Sequence, residues 1–268
     1  MYAFIHIPKT AGTTLRYLFR RSFGARHCDV KCPTYCRSTT PWLKNENLRF
    51  MNKLYPDLSG ITGHRVCSFS DLDNHYPNIR YFTFLRDPSK RFLSKFHHLY
   101  RGRMEQCTLA AFEEFAKDQT QHNAQTKWLC GEQNSQLAID MLENKIGLVG
   151  ITEQFDQSLI LLKYWLNEPC FDINYKSRNL SHGVAPLPYE SDPYLKDLIL
   201  QANKLDIEVY NYAVAYIFPK QIAAYGDNFD EVYKIFLLKQ ESFIDLHESL
   251  WARVKRDWIY KPSLHLPW

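Results

Sequence analysis

The chain has 268 residues, 15% of them aromatic and 23% charged, with a formal net charge of +4. That length sustains one large α/β domain with a proper core or two small ones, and the aromatic content excludes a disordered chain. The charge is a mild bias towards anionic ligands, too weak to argue for nucleic-acid binding, and there is no run of about 18 apolar residues to cross a membrane.

Residues 2–7 are apolar apart from His6 and rich in β-formers, which predicts a short buried strand. Pro8 cannot donate to a ladder and should end it. Thr13 and Thr14 open a helical pattern with Leu15, Leu18, Phe19 and Phe23 on one face, and Gly24 is its natural stop. Lys9, Thr10, Ala11 and Gly12 lie between strand and helix. A strand, a tight loop bearing a lysine and a glycine, and a helix N-terminus together make a phosphate site: loop N–H groups and the helix dipole face the anion, and the lysine adds a full charge. The Walker A loop is a different motif, because here the lysine precedes the only glycine. The plainer alternative is a βα turn with a solvated lysine.

Residues 25–43 carry Cys28, Cys32 and Cys36, two prolines and several Ser/Thr, and read as a loop. Four-residue spacing with only His27 nearby is a poor zinc set. Free thiols lead, and a disulfide within the loop would need an oxidising compartment. Residues 44–55 suit a short helix with Leu48, Met51 and Leu54 inward, and residues 59–69 a strand and its exit, with His64 near the end. A second strand-to-helix junction follows. Residues 81–85 form an apolar strand, Arg86 sits at its end, and Asp87-Pro88 starts a helix with proline in its first turn. Phe92, Phe96 and Leu99 make its apolar stripe; Ser94 lies on another face, able to turn back towards Arg86.

Helices are predicted over 109–116, 121–130 and 134–144, a strand over 147–151, and an apolar helix over 155–166 stopped by Pro169. Residues 174–188 form a polar stretch of function-bearing length that includes Lys176, Ser177 and Arg178. Helices then dominate, over 191–204, 205–218 and, as one long amphipathic element, 227–258. Strands alternating with helices in the first 150 residues predict a parallel sheet covered by helices on both faces, followed by a helical C-terminal layer, all in a single domain over 1–268.

The two junctions carry a resemblance. Ile7-Pro8-Lys9-Thr10-Ala11-Gly12-Thr13-Thr14 resembles the 5′-phosphosulfate loop of the sulfotransferases that use 3′-phosphoadenosine 5′-phosphosulfate (PAPS), and Leu85-Arg86-Asp87-Pro88 through Ser94 resembles their 3′-phosphate motif. The similarity is to the carbohydrate branch, the heparan sulfate 2-O- and 6-O-sulfotransferases and their bacterial relatives. Thr62-Gly63-His64-Arg65-Val66 resembles the segment with the catalytic histidine of the 2-O enzymes, and residues 150–156 resemble a later family segment. Two such motifs in the right order are far more specific than either alone.

The resemblance implies a P-loop-like α/β fold and sulfuryl transfer from PAPS to a hydroxyl of a carbohydrate or other hydroxylated acceptor, anionic glycans included, with PAP (3′-phosphoadenosine 5′-phosphate) as product and no metal. It implies that Lys9, Thr10, Ala11, Gly12, Thr13 and Thr14 hold the 5′ end of the nucleotide. Arg86 and Ser94 would hold the 3′-phosphate, and Lys176, Ser177 and Arg178 would close over it. Such a transfer moves a group in line between two oxygens, so catalysis is mostly positioning and electrostatics. Lys9 fits the leaving-group stabiliser and His64, which titrates near neutrality, the general base. The alternative for His64 is a satisfied histidine at a strand end, and for Arg86 a structural pair with Asp87 or another acid. Arg65 and Lys176 are the first choices to line an acceptor groove. Relatives in the animal secretory pathway carry an N-terminal anchor; Met1 one residue before the first strand leaves no room for a signal peptide, so a cytoplasmic enzyme is expected, or a Golgi-lumenal one if the chain is a truncated eukaryotic protein. Two rivals remain: a nucleotide kinase with a variant phosphate loop, which would need a strand ending in an acidic metal ligand, and an inactive glycan-binding relative.

Overall fold

The apolar run Tyr2–Ile5 forms the central strand β1 of a five-stranded parallel sheet. The computed structural model describes residues 1–30, 42–176, 192–241 and 249–263. The other strands are β2 (His27–Asp29), β3 (Gly60–Gly63), β4 (Arg80–Leu85) and β5 (Ile146–Ile151), in the spatial order β2-β3-β1-β4-β5. Every pairing is parallel. All of β1 is buried, as expected of a strand covered on both faces, and this is why its pattern is a run rather than an alternation.

Helix α1 (Gly12–Phe23) leaves the end of β1 and returns along the sheet. Its Phe19 and Phe23 pack on Tyr2, and Phe19 also on Phe4 and Phe82. Gly24 stops it at φ 54°, a conformation glycine adopts without penalty. Helix α2 (Asn45–Leu54) buries Leu48 and Met51 as predicted. Helices α3 (Pro88–Leu99), α4 (Leu109–Lys117), α5 (Ala124–Cys130) and α6 (Ser135–Asn144) follow β4, and α7 (Phe155–Leu166) follows β5. The α7 residues Trp165 and Phe155 meet Phe82 and Phe84 on the face that α1 covers. The helical layer then comprises α8 (Pro193–Ala202), α9 (Lys204–Tyr212), α10 (Phe218–Tyr225), α11 (Phe229–Glu241), α12 (Leu250–Val254) and the short α13 (Lys261–Ser263).

One contiguous core runs from Tyr2 to Tyr260, and a smaller one joins Phe92 and Phe96 of α3 to Phe112 and Phe115 of α4 and Leu195 and Ile199 of α8. Helix α3 is therefore held by its neighbours in the helical layer. No helix among the described residues is long and apolar enough to cross a membrane.

The sequence reading needs five corrections. Strand β2 lies inside the stretch read as a loop: three residues, two of them buried and polar, show no apolar periodicity. Its Cys28 is buried with its thiol against Met51, while Cys32 and Cys36 lie outside the described residues. Helix α5 starts at Ala124 because Asn123 adopts φ 46° before it. Leu99, assigned to the inner stripe of α3, is 42% exposed at the helix end. Helix α9 passes through a π-turn at Ala213–Ile217 into α10; the wide turn sits just before Pro219, whose ring would clash with a regular preceding turn. The long helix read over 227–258 is broken, since Ser249 is extended (φ −51°, ψ 132°) and opens α12. The predicted apolar face holds in the first half, where Phe229 and Phe236 are buried, and fails in the second, where Leu250, Trp251 and Trp258 are exposed and Ala252 and Tyr260 are the buried residues.

Candidate active site

Because β1 lies between β3 and β4, the three segments that leave these strands emerge side by side at one edge of the sheet, where open parallel sheets place ligands. Those segments begin at His6, His64 and Arg86, and carry the three singled-out sequence motifs.

After β1 the chain turns through two left-handed residues, Lys9 (φ 75°) and Ala11 (φ 61°). Such a conformation costs a non-glycine residue on the order of 1 kcal/mol each, and it is retained where the surrounding structure demands it. The Thr10 hydroxyl, fully buried, donates to the Ile7 carbonyl at 3.0 Å and ties the turn together. Its proton therefore serves the loop here. Helix α1 starts at Gly12 with no side-chain cap and no acidic residue in its first turn; the Thr14 N–H donates to the Ala11 carbonyl at 3.1 Å, which leaves the Gly12 and Thr13 N–H groups to meet an external anion or water. Thr13 is exposed and Thr14 buried there. No room exists for a side chain at position 12: a Cβ would stand 1.7 Å from Nε2 of His6.

Arg86 crosses from β4 towards this loop. Its guanidinium Nη1 donates to the Lys9 carbonyl at 3.1 Å, joining the two motifs directly. Its backbone is gripped on both sides by the buried Gln125 side chain: the Arg86 N–H donates to Oε1 at 2.9 Å, and Nε2 donates to the Arg86 carbonyl at 2.8 Å. The alternative of a structural pair with Asp87 is not what forms, since the Asp87 carboxylate caps α3 by accepting from the Lys90 N–H at 2.9 Å. The Asp87 N–H in turn donates to the Glu153 carboxylate at 3.2 Å, and Tyr210 donates to the same carboxylate at 3.0 Å. Ser94 sits half-exposed on α3, one turn beyond Arg91, which is buried with Nε and Nη2 unpartnered.

His64 is the first residue after β3. Its Nδ1 lies 2.8 Å from the His6 carbonyl; a carbonyl only accepts, so Nδ1 carries the proton and Nε2 keeps its lone pair. The Trp128 indole donates to the His64 carbonyl at 2.9 Å, and the His64 ring stacks on that of His6 with centroids 4.1 Å apart. The parallel register pairs Ile5 with Gly63, so the next residues on each strand, His6 and His64, are neighbours by construction. His64 is exposed as a residue, but its ring is covered on the face that stacks on His6; this partial desolvation holds the imidazole below its ordinary pKa, the hydrogen bond to His6 works against it, and the charges of Arg16 and Lys95 add to it.

The edge is positively charged. Burial first, and then Arg86, Lys95 and Arg101, push the Lys9 ammonium below its usual range. No three His, Cys, Asp or Glu side chains gather as a metal-ligand set among the described residues. Lys176 is exposed, on a segment whose Asp172 and Asn174 carbonyls accept from Arg21 of α1; Ser177 and Arg178 lie outside the described residues. Arg65 is half-buried beside His64. Sequence reasoning missed Gln125, Glu153 and Trp128, whose roles are set by tertiary contact and leave no local pattern. A polar residue inside an apolar strand did mark His6, which was read only as buried.

No curated protein matches the chain in sequence. A model of the family described as the sulfotransferase family matches residues 2–213, from β1 to the end of α9 and so across all three strand ends. The protein belongs to the sulfotransferase family.

Proposed function

We propose that the protein transfers the sulfuryl group of PAPS to a hydroxyl of a carbohydrate or other hydroxylated acceptor, with His64 as general base and no metal. Members of the family generally draw the group from PAPS. The observation that carries the reading is the Arg86–Lys9 hydrogen bond, which puts both phosphate motifs at one place with His64 on the other side of β1. The residues fit a nucleotide with phosphate at both ends: an uncapped helix start and Lys9 for one, Arg86 and Ser94 for the other.

When bound, PAPS supplies an activated sulfuryl group on a phosphate leaving group. Nε2 of His64 takes the acceptor hydroxyl proton as the new S–O bond forms. Lys9 stabilises the charge that collects on the phosphate oxygen as the old S–O bond breaks, a role for which a half-buried ammonium is stronger than a solvated one. Arg86 fixes the nucleotide and, through the Lys9 carbonyl, the loop that carries the lysine. An acceptor must approach between His64 and the loop, past Lys95 and Arg101, which suits an anionic glycan.

Calorimetry with PAP in the presence of EDTA tests the cofactor reading; binding with micromolar or better affinity is expected. Absence of binding, or binding that needs magnesium, overturns it. Transfer from ³⁵S-PAPS to a panel of polysaccharides and small alcohols then identifies the acceptor.

A further inference from the structure

His6 is the one polar residue in the apolar run that forms β1, and the fold makes unusual use of it. Its side chain is 5% exposed. One face of the ring stacks on His64, with centroids 4.1 Å apart and planes within 29°. Its Nε2 edge lies against Gly12, so close that no Cβ fits between them. Phe4 packs on it at 5.4 Å, also stacked. Its Nδ1 is buried with no hydrogen-bond partner. A single ring thus fills the space between the start of α1 and the candidate base.

A core-filling role alone does not account for this residue. Phe4, Ile5 and Ile7 fill the positions around it without a polar atom to desolvate, and a buried unpartnered nitrogen costs stability. Such costs are retained where they serve function. What the imidazole provides here is a narrow flat ring that touches a catalytic loop and a catalytic ring at once. Its backbone carbonyl at the same time fixes the His64 tautomer.

We infer that His6 is a positioning residue for sulfuryl transfer: its ring is the wedge that sets the angle of the His64 imidazole against the phosphate-binding loop. The inference rests on His64 acting as the base. The groups that face the pair are Arg16 of α1, Asp29 of β2 and Lys95 of α3. Burial, the neighbouring His64 and Arg16 hold His6 well below the ordinary histidine range, while Asp29 acts in the opposite sense. His6 is therefore the member that stays neutral, and the base is free to cycle its proton.

The test is a double-mutant cycle on full-length protein, with turnover measured by ³⁵S transfer and PAP affinity by calorimetry. His6→Ala is expected to lower kcat by about 10- to 100-fold, since a base displaced by about 1 Å costs that order, while the PAP Kd changes by less than about threefold. In the His64→Ala background the same substitution should cost no further turnover, because the ring it orients is gone. The acid limb of kcat/KM should move to higher pH in His6→Ala, because the face of the His64 ring now covered by His6 gains access to water. If His6→Ala does not fold, His6→Gln, which keeps bulk but not the flat face, carries the same comparison. Equal losses with and without His64, an unmoved acid limb, or unchanged turnover in His6→Ala would overturn the inference while leaving the base intact. Near-normal turnover in His64→Ala alone would instead overturn the base assignment, and this inference with it.

Discussion

The closest approach in the site, Gly12 against His6, makes a quantitative test. An alanine Cβ at position 12 would lie 1.7 Å from Nε2, 2.1 Å from Cδ2 and 2.6 Å from Cε1 of the His6 ring, where ordinary contact begins at 3.4 Å. The ring cannot retreat freely, since Phe4 and His64 stack around it and it is 5% exposed. Overpacking of this kind costs about 1–3 kcal/mol. Against that stands the gain from replacing a helical glycine, at most about 0.5–1 kcal/mol. With three ring atoms inside 3.0 Å the cost lies at the upper end, about 2–3 kcal/mol, so the net expectation is a loss of about 1–2.5 kcal/mol, which for a chain of this size is a Tm lower by about 2–10 °C in scanning calorimetry. Removing the obstacle should relieve it: in Gly12→Ala/His6→Ala the methyl enters the vacated space, and the two destabilisations should fall short of additive by about 1 kcal/mol or more. A Gly12→Ala protein as stable and as active as the parent would refute the packing argument.

His64→Ala should bind PAP within about twofold of the parent in calorimetry and lose roughly two to four orders of magnitude in turnover, whereas Lys9→Ala should lose both binding and turnover. The acid limb of the kcat/KM profile should lie below the ordinary histidine value of about 6.5, because burial lowers the His64 pKa and the neutral ring, the active form, persists to lower pH; a midpoint above that value would contradict the assignment. Arg86→Ala should weaken PAP about 10- to 100-fold through loss of a charged hydrogen bond, and should weaken adenosine 5′-phosphosulfate, which lacks the 3′-phosphate, distinctly less; equal losses would place Arg86 elsewhere. Asp29 is buried beside His27, Arg16 and Arg20. Burial raises its pKa, but the His27 imidazole 3.6 Å away and the Arg16 and Arg20 charges outweigh that and hold its carboxyl well below the usual range. Its contribution is therefore present above the unfolded value of about 3.9 and lost as pH falls below it, so the stability gap between parent and Asp29→Asn in urea titrations should shrink below about pH 4.

How far the residues alone foretell this arrangement depends on where each signal is stored. The β1–α1 and β4–α3 junctions were legible because unbroken apolar runs end at proline-bearing turns, Pro8 and Asp87-Pro88, and the helix stripes then restart with a different period. Strand β2 leaves no pattern because two of its three buried residues are polar and find their partners far along the chain: His27 Nδ1 meets the Tyr2 hydroxyl at 2.9 Å, and Asp29 takes Arg16 at 3.0 Å and Arg20. The C-terminal helix differs from the expectation because apolar spacing is silent about continuity: past the new start at Leu250 and the π-turn over Lys255–Tyr260 the face changes, and Leu250, Trp251 and Trp258 point outward. In the site, Lys9, Arg86 and His64 stood out as residue types, but their meeting depends on β1 lying between β3 and β4. Chain order does not contain that adjacency. Gln125 is a different case. It grips Arg86 across 39 residues of sequence, and nothing in its local context separates it from a surface glutamine.

The anchors of the site share one physical feature. The Arg86 guanidinium is held by the Lys9 carbonyl, the His64 ring by the His6 carbonyl, the His64 backbone by an indole and the Arg86 backbone by an amide. All of these partners are neutral. The nearby carboxylates make their hydrogen bonds elsewhere, Glu153 with the Asp87 N–H and the Tyr210 hydroxyl, Asp87 at the α3 cap and Asp29 with Arg16 and Arg20, so Glu153 and Asp87 act on Arg86 only through their charge. A side chain held by a carbonyl dipole keeps its full charge available, whereas one held by a carboxylate has already met the anion that it would offer to a ligand. This is how the edge can be rigid and still positive, with the charges of Arg86, Lys95 and Arg101 bearing together on the Lys9 ammonium. A carboxylate in place of the Lys9 carbonyl would hold Arg86 as firmly, and would cancel the charge that a phosphate needs to find there.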